Sequence, residues 1–280
     1  MSYADKLFKE TCRDILENGT DTKGQEVRPH WEDGSPAYTI KKFGVVNRYD
    51  LRKEFPAITL RRIALKSAMD EILWIYQKKS NNVHDLNSHV WDSWADEDGS
   101  IGTVYGYQVG EKFMFKGHET DQMDYVLEQL KKTPFSRRIM TNLYQYHNLA
   151  TGHLDPCCYS ATYNVTEENG QRILNMVLNQ RSQDMLAANG WNVAQYAILL
   201  MMVAQSVGMI PGELVHVIAD CHIYDRHVPM IEELLTREEH PAPIVRLKPG
   251  KTDFYAFTTD DLIVKDYVTG EQITDIPVAV

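Results

Sequence analysis

The segment that most constrains this chain is Asn192–Met209, "NVAQYAILLMMVAQSVGM", which is apolar on nearly every side of a helix. A helix with a single apolar stripe can lie on a surface, whereas one that is apolar all round has to be surrounded. Its uninterrupted part, Ala197–Ala204, is far shorter than the roughly 20 apolar residues that cross a bilayer. The helix is therefore expected at the centre of a water-soluble core that the rest of the chain wraps. With 280 residues, 43% of them hydrophobic, the chain has enough material for that core.

The wrapping elements alternate without the regular rhythm of a doubly wound fold. Tyr3–Asn18 is amphipathic and stops at Gly19, as a helix does. Residues 19–35, rich in Gly, Pro and charge, predict a long loop, and "YTIKKFGVVNRYDL" a strand or hairpin. "RRIALKSAMDEILWIYQKK" and "DQMDYVLEQLKK" have helical spacing. "RIMTNLY", "CYSATYNV" and "RILNMVLNQRSQD" predict strands, the last two joined by the turn "TEENG". "GELVHVIADCHIYD" is a further strand and "HVPMIEELLTRE" a further helix. The expected class is α+β, a mixed sheet packed with helices, over a single domain of residues 1–280. No Gly-rich phosphate loop follows a strand, which disfavours a dinucleotide fold.

A net charge of −10 argues against duplex nucleic acid as the main partner. It leaves room for a small anion, since a few clustered arginines hold a phosphate inside an acidic protein. The amino-terminal stretch is charged and amphipathic and lacks the apolar run of a signal peptide, so the expected location is cytoplasmic. The four cysteines, Cys12, Cys157, Cys158 and Cys221, show no zinc spacing, and no metal is expected. Cys157 and Cys158 are adjacent, a placement that strains a disulfide between them. Either all four are inert buried thiols, or one of them is reactive.

A reactive thiol needs a lowered pKa or a positioned base. If "CYSATYNV" and "RILNMVLNQRSQD" pair through the turn, Arg181 lies near Cys157, where its guanidinium can stabilise a thiolate or hold an anion. Pairing with Asp184 or a surface carboxylate is the equal alternative. Arg137 and Arg138 are either a solvated pair or a second positive site, although strand neighbours face opposite ways. Glu71 stands on an apolar helix face, where a carboxylate has a raised pKa and can shuttle protons. Trp91 and Trp94 lie in an Asp-rich loop and offer indoles to a flat ligand. His222 and Tyr224 share a strand face. Asn192 opens the apolar helix as an N-cap, or uses its amide to match a uracil edge.

Taken in order, "FPAITLRR", "EILW", "VWDSWADEDG", "VYG", "DQ", "SRRI", "PC", "QRSQD", "WNVAQYA", "DCHIY" and "PVAV" resemble the folate-dependent, cysteine-nucleophile thymidylate synthase family along nearly the whole chain. The arrangement is most similar to a branch of Gram-positive and phage type. The resemblance implies reductive methylation of dUMP to dTMP, with 5,10-methylenetetrahydrofolate as carbon and hydride donor and dihydrofolate as product. It implies Cys157 as the nucleophile that adds to C6 of the pyrimidine, with Cys158 standing where histidine is usual. Glu71 then matches the carboxylate that organises water for proton transfer, and Tyr105 the tyrosine near the C5 proton. Arg28, Arg181, Ser182, Arg137 and Arg138 match the phosphate site, the last two reaching in from the neighbouring subunit of a homodimer. Asn192 matches the base-reading amide, and His222 and Tyr224 the ribose contacts. Asp184 matches the pterin ligand, with Trp91 and Trp94 beside the folate and Val280 supplying a closing terminal carboxylate.

The chain departs from the family pattern in places. Arg61 stands where lysine is common and keeps a charge for an anionic glutamyl tail. "LAANGWN" puts Ala188 and Trp191 where glycine and phenylalanine are usual, changing the folate wall. Two other readings remain. A deoxypyrimidylate hydroxymethylase on the same fold would use the same cysteine, with water in place of hydride. A nucleotide- or RNA-binding protein without catalysis belongs to a different class. The partners expected are dUMP and reduced folate, with no membrane and no required nucleic acid.

Overall fold

The computed structural model describes residues 1–280. Its strands are β1 (Thr20–Asp21), β2 (Thr39–Asp50), β3 (Phe113–Phe115), β4 (His118–Thr120), β5 (Met140–Asn142), β6 (Cys158–Glu168), β7 (Gln171–Asp184), β8 (Ile210–Tyr224), β9 (Ile244–Leu247) and β10 (Leu262–Lys265). Its helices are α1 (Tyr3–Asn18), α2 (Leu65–Ile72), α3 (Gly106–Gly110), α4 (Gln122–Lys132), α5 (Tyr146–Leu149), α6 (Asn189–Ser206) and α7 (Val228–Thr236).

The main sheet has the order β1-β2-β8-β7-β6-β5. Only β7 and β8 run parallel, because α6 carries the chain back between them; every other pair is antiparallel. The apolar helix α6 packs on β7, β8 and α2, while α1 covers β2 and β8. Along α6, Ala197, Ile198, Leu199 and Leu200 are all fully buried, so every side of the helix meets protein, as its composition requires. One continuous apolar core joins the sheet to these helices. In burying Phe8, Cys12 and Ile15, α1 uses the stripe its sequence displays.

Of the two alternatives for residues 38–51, the structure has the strand, β2, with Gly44 at φ +74° absorbing an irregularity. Two departures from the expected elements have physical causes. The helix holding Glu71 ends early and widens into a π-type turn, Leu73–Gln77, in which the Lys78 N–H reaches back to the Leu73 carbonyl. Trp74 and Tyr76 in that turn are fully buried, and the wider turn makes room for such side chains. The apolar helix begins at Asn189, so Asn192 is not its N-cap: the Asn192 N–H already donates to the Ala188 carbonyl.

Candidate active site

The pairing of β6 with β7 sets Cys158 opposite Gln180 and places Cys157 just outside the strand. The Arg181 N–H donates to the Cys157 carbonyl at 2.9 Å. The Arg181 side chain then folds over the loop before β6, donating to the carbonyls of Pro156 and Asp155. Its Nη2 stands 3.7 Å from Cys157 Sγ. No carboxylate neutralises it, so the pairing with Asp184 that the sequence left open does not occur. Fixed by carbonyls, the guanidinium keeps its charge for the sulfur or for an anion.

Cys157 is the least buried of the four cysteines. Burial nevertheless lifts its thiol above the ordinary value, and the charges of Arg181 and then Arg28 oppose this without overcoming it. Burial and the two guanidinium groups thus act on this sulfur in opposite directions, with burial the larger influence. Cys158 faces the opposite way, buried, with Sγ 3.2 Å from Gln180 Oε1. Burial raises it much further.

Tyr105 is tied to the same cysteine. The Cys157 N–H donates to its phenolic oxygen at 3.1 Å, leaving the hydroxyl proton free to donate elsewhere. The backbone there is strained, with φ +51° and ψ −106°, the kind of cost that clusters at functional sites. The glycine of "VYG" is dictated by packing, since a Cβ on Gly106 would sit 1.9 Å from the Ser80 carbonyl oxygen. Trp91 lies edge-on against Tyr105, ring centroids 4.8 Å apart, and links it to Glu71.

Glu71 is buried at the end of α2. One oxygen accepts from Trp91 Nε1 at 3.0 Å and the other from Trp191 Nε1 at 2.7 Å. Burial raises its pKa, and the two indole donors pull it back part of the way. Trp91 and Trp94 were expected to offer indoles to a flat ligand, and Trp191 to change the folate wall. The N–H groups of Trp91 and Trp191 are committed to Glu71, and Trp91 is only 7% exposed. Trp94, half-buried and edge-on to Trp91, keeps a face available.

Asn192, in the first turn of α6, accepts through Oδ1 from Gln180 Nε2 at 3.3 Å and donates to Gln195 Oε1 at 3.0 Å. Gln183 also approaches Asn192 Oδ1, at 3.5 Å, and its own Oε1 is buried without a partner. An unpaired buried acceptor beside a half-buried amide fits a polar ligand better than an empty core. His222 and Tyr224 project together from β8, ring centroids 5.0 Å apart, and His222 Nδ1 is engaged by Asp220 at 2.9 Å. Burial pushes the Tyr224 hydroxyl up to about 12, so it stays a donor at neutral pH. In register, Asp184 pairs with His222 across β7 and β8.

Asp184 accepts from the N–H groups of Leu186 and Ala187 and faces His227 at 3.5 Å. Burial favours its neutral form, but His227, with help from His222 and these N–H groups, holds it below the usual carboxylate range. On its other side His227 reaches the Pro277 carbonyl at 2.8 Å. The tail continues to Val280, whose backbone pairs with His30 in both directions. It thereby ends two residues from the exposed Arg28.

Not every expected residue joins this cluster. Arg61 is turned inward, 6% exposed, with its guanidinium on the Leu186 carbonyl and Nε unpaired. It does not present charge to solvent for a glutamyl tail; its short reach toward the Asp184 turn draws it into the core. Arg137 and Arg138 sit in an exposed turn between α4 and β5 rather than in a strand, so the objection from strand alternation does not apply. Ser182 is half-buried on β7 and offers its carbonyl to Gln180, and Ala188 caps α6. The sequence reading missed Gln180, Gln183, His216, His227 and Trp31. Trp31 packs edge-on against Tyr224 and His227. Gln180 and Gln183 lie within "QRSQD", which could have marked them, whereas His216, His227 and Trp31 act through partners distant in sequence.

Comparison with known proteins bears on the whole chain. A family model described as thymidylate synthase matches residues 6–280. A thymidylate synthase of Bacillus subtilis subsp. natto is 39% identical over 278 residues, 98% of each chain. The thymidylate synthase of Bacillus phage phi3T is 38% identical over the same length and coverage. The solved structure of thermostable thymidylate synthase A from Bacillus subtilis superposes with a TM-score of 0.92, at 38% identity and covering all of both chains. Matched by one family model from residue 6 to residue 280 and 39% identical to a relative over nearly its full length, this chain belongs to the thymidylate synthase family.

Proposed function

We propose how this cleft divides the work of its reaction, the reductive methylation of dUMP to dTMP. The observation that carries the reading is Cys157, the least buried cysteine, with its Sγ 3.7 Å from a guanidinium that no carboxylate neutralises. Arg181 and Arg28 hold the nucleotide phosphate, and Cys157 adds to C6 of the uracil ring. Covalent attack splits one hard substitution into accessible steps and makes C5 nucleophilic. Asn192, its amide set by Gln180 and Gln195, reads the uracil edge. His222 and Tyr224 take the ribose hydroxyl. Tyr105, with its proton free, and Glu71, through water, serve proton transfer at C5.

The residues that would receive 5,10-methylenetetrahydrofolate are Asp184, anchored by His227, and the open face of Trp94, with Ala188 nearby and the Val280 tail closing over them. When bound, the folate supplies the one-carbon unit and the hydride. The charge of Asp184 and the unpaired Gln183 oxygen fit a ligand rich in N–H donors.

Arg137 and Arg138, exposed and outside the Cys157 cluster, are assigned to the site of a second subunit. The homodimer is further supported by half-exposed Val177, Val215 and Val217 along the sheet and by Phe43, 91% exposed on β2. We place the enzyme in the cytoplasm as one domain over residues 1–280. No helix is long and apolar enough to cross a membrane.

The deciding assay offers dUMP and dCMP in parallel with the methylene cofactor. Dihydrofolate is expected with dUMP alone; tetrahydrofolate and a hydroxymethyl product would mean a hydroxymethylase. A 5-fluoro analogue of dUMP with the cofactor is expected to trap an adduct on Cys157, and peptide mapping to Cys158 would overturn the assignment. For the dimer, mixing Cys157→Ala with Arg138→Ala chains should restore activity that neither has alone.

A further inference from the structure

Glu71 is held by two indoles that arrive from different parts of the chain. Trp91 belongs to the loop that follows α2, and Trp191 to the first turn of α6. Each takes a different carboxylate oxygen, so rotating the carboxyl group would break both bonds at once. Trp191 stands where the family resemblance has phenylalanine, whose ring can form a wall but has no N–H to give. The shorter of the two bonds is thus made by the residue that departs from the pattern.

We propose that Trp191 is a positioning residue for Glu71: its indole N–H fixes Oε2 and keeps the buried carboxyl group in one orientation. The proposal rests on the reading of Glu71 as the group that organises proton-transfer water. A carboxylate buried without donors takes up a proton. A neutral N–H aimed at an ionised oxygen resists this, and more strongly in a site that excludes water. Among the groups that oppose the burial of Glu71, Trp191 acts most strongly, ahead of Trp91. The remaining acid nearby, Asp70, pushes toward the protonated form, and Gln195 adds a further donor. With Phe at 191, Oε2 would lose its only indole partner while the hydrophobic wall stayed in place.

The test uses the full chain labelled with 15N at its five tryptophans. Trp91→Phe and Trp191→Phe assign the two indole signals. Both signals are expected to move together as Glu71 titrates, and Glu71→Gln should abolish the movement. In Trp191→Phe the Trp91 signal should titrate about one pH unit higher, a tenfold gain in proton affinity. The acid limb of kcat for dUMP methylation should move by the same amount, with KM for the reduced folate unchanged within about twofold. Trp191→Leu repeats the measurement should the phenylalanine variant fold poorly. An unmoved Trp91 midpoint would overturn the proposal, and a raised folate KM alongside it would make Trp191 a wall only. A shifted midpoint with an unshifted kcat profile would leave the bond standing and sink the role of Glu71 beneath it.

Discussion

The surroundings of Cys157 and of Glu71 solve one problem by different means. Cys157 and Glu71 are both pushed toward their neutral forms by burial. On the sheet side the opposing influence is formal charge, from Arg181 and Arg28. On the helix side it is a pair of neutral indole donors. Charge acts at a distance and survives small displacements, so Arg181 serves the sulfur at 3.7 Å without a close bond. Indole donors act only in contact, so Glu71 needs both rings within hydrogen-bond reach. The thiol side is therefore built on a rigid pair of strands, with Arg181 pinned by carbonyls. The carboxylate side is built where a widened helical turn, a loop and the start of α6 converge. The contrast teaches that the first side tolerates a changed neighbour, such as Cys158, while the second depends on particular ring positions.

The largest effect should come from removing the sulfur itself. Cys157→Ser is expected to lower kcat on the order of 10^4-fold or more, the scale of losing a covalent nucleophile; retained turnover would erase the distinction between the two sides. Next, Arg181→Ala should cost about 10^2-fold in kcat/KM for dUMP, the scale of a lost charge-assisted contact. The same variant should move the alkylation profile of Cys157 to higher pH, as read by the rate of iodoacetamide labelling. Because burial already holds this thiol above its ordinary value, the wild-type labelling rate should still be climbing beyond neutral pH. A plateau below pH 7 would show that charge, not burial, governs the sulfur.

A third test concerns the layer behind the thiol. His216 is fully buried, donates to Gln180 at 2.7 Å, and is depressed by burial to about 3. The folded chain keeps it neutral where the unfolded chain takes a proton, so its stabilising contribution is complete above about pH 6.5 and falls away as pH drops toward 3. Between pH 7 and 5.5 this amounts to about 1 kcal/mol. Urea unfolding at the two pH values should show that loss, and His216→Gln should flatten it. The smallest effect is expected from Cys158→Ser. A hydroxyl can donate to Gln180 as the thiol does, so stability should change by about 1 kcal/mol or less and turnover should hold. A large loss would mean that Cys158 belongs to the chemistry after all.

How much of this was legible beforehand depends on the range of the interactions involved. The pairing of β6 with β7 follows from two alternating strands and a short turn, and it alone brings Arg181 to Cys157. The carboxylate side was not legible in the same way. Glu71 could be marked as a charge on an apolar face, but Trp91 was assigned with Trp94 to a flat ligand and Trp191 to the folate wall. Their N–H directions depend on where three separated segments meet. Arg61, which the resemblance set toward a glutamyl tail, is placed by the path of the chain past Leu186, which turns it inward.

From its residues alone the chain determined a buried central helix, an α+β class and the segments that mark its family. Periodicity, apolar length and short motifs are local, and burial of apolar surface enforces them wherever they occur. Only the tertiary structure decided that burial outweighs two arginines at Cys157, that Asn192 sits inside its helix, and that both oxygens of Glu71 end on indoles. Those outcomes are small differences between desolvation and contacts made across long separations in sequence, and no local pattern records such differences.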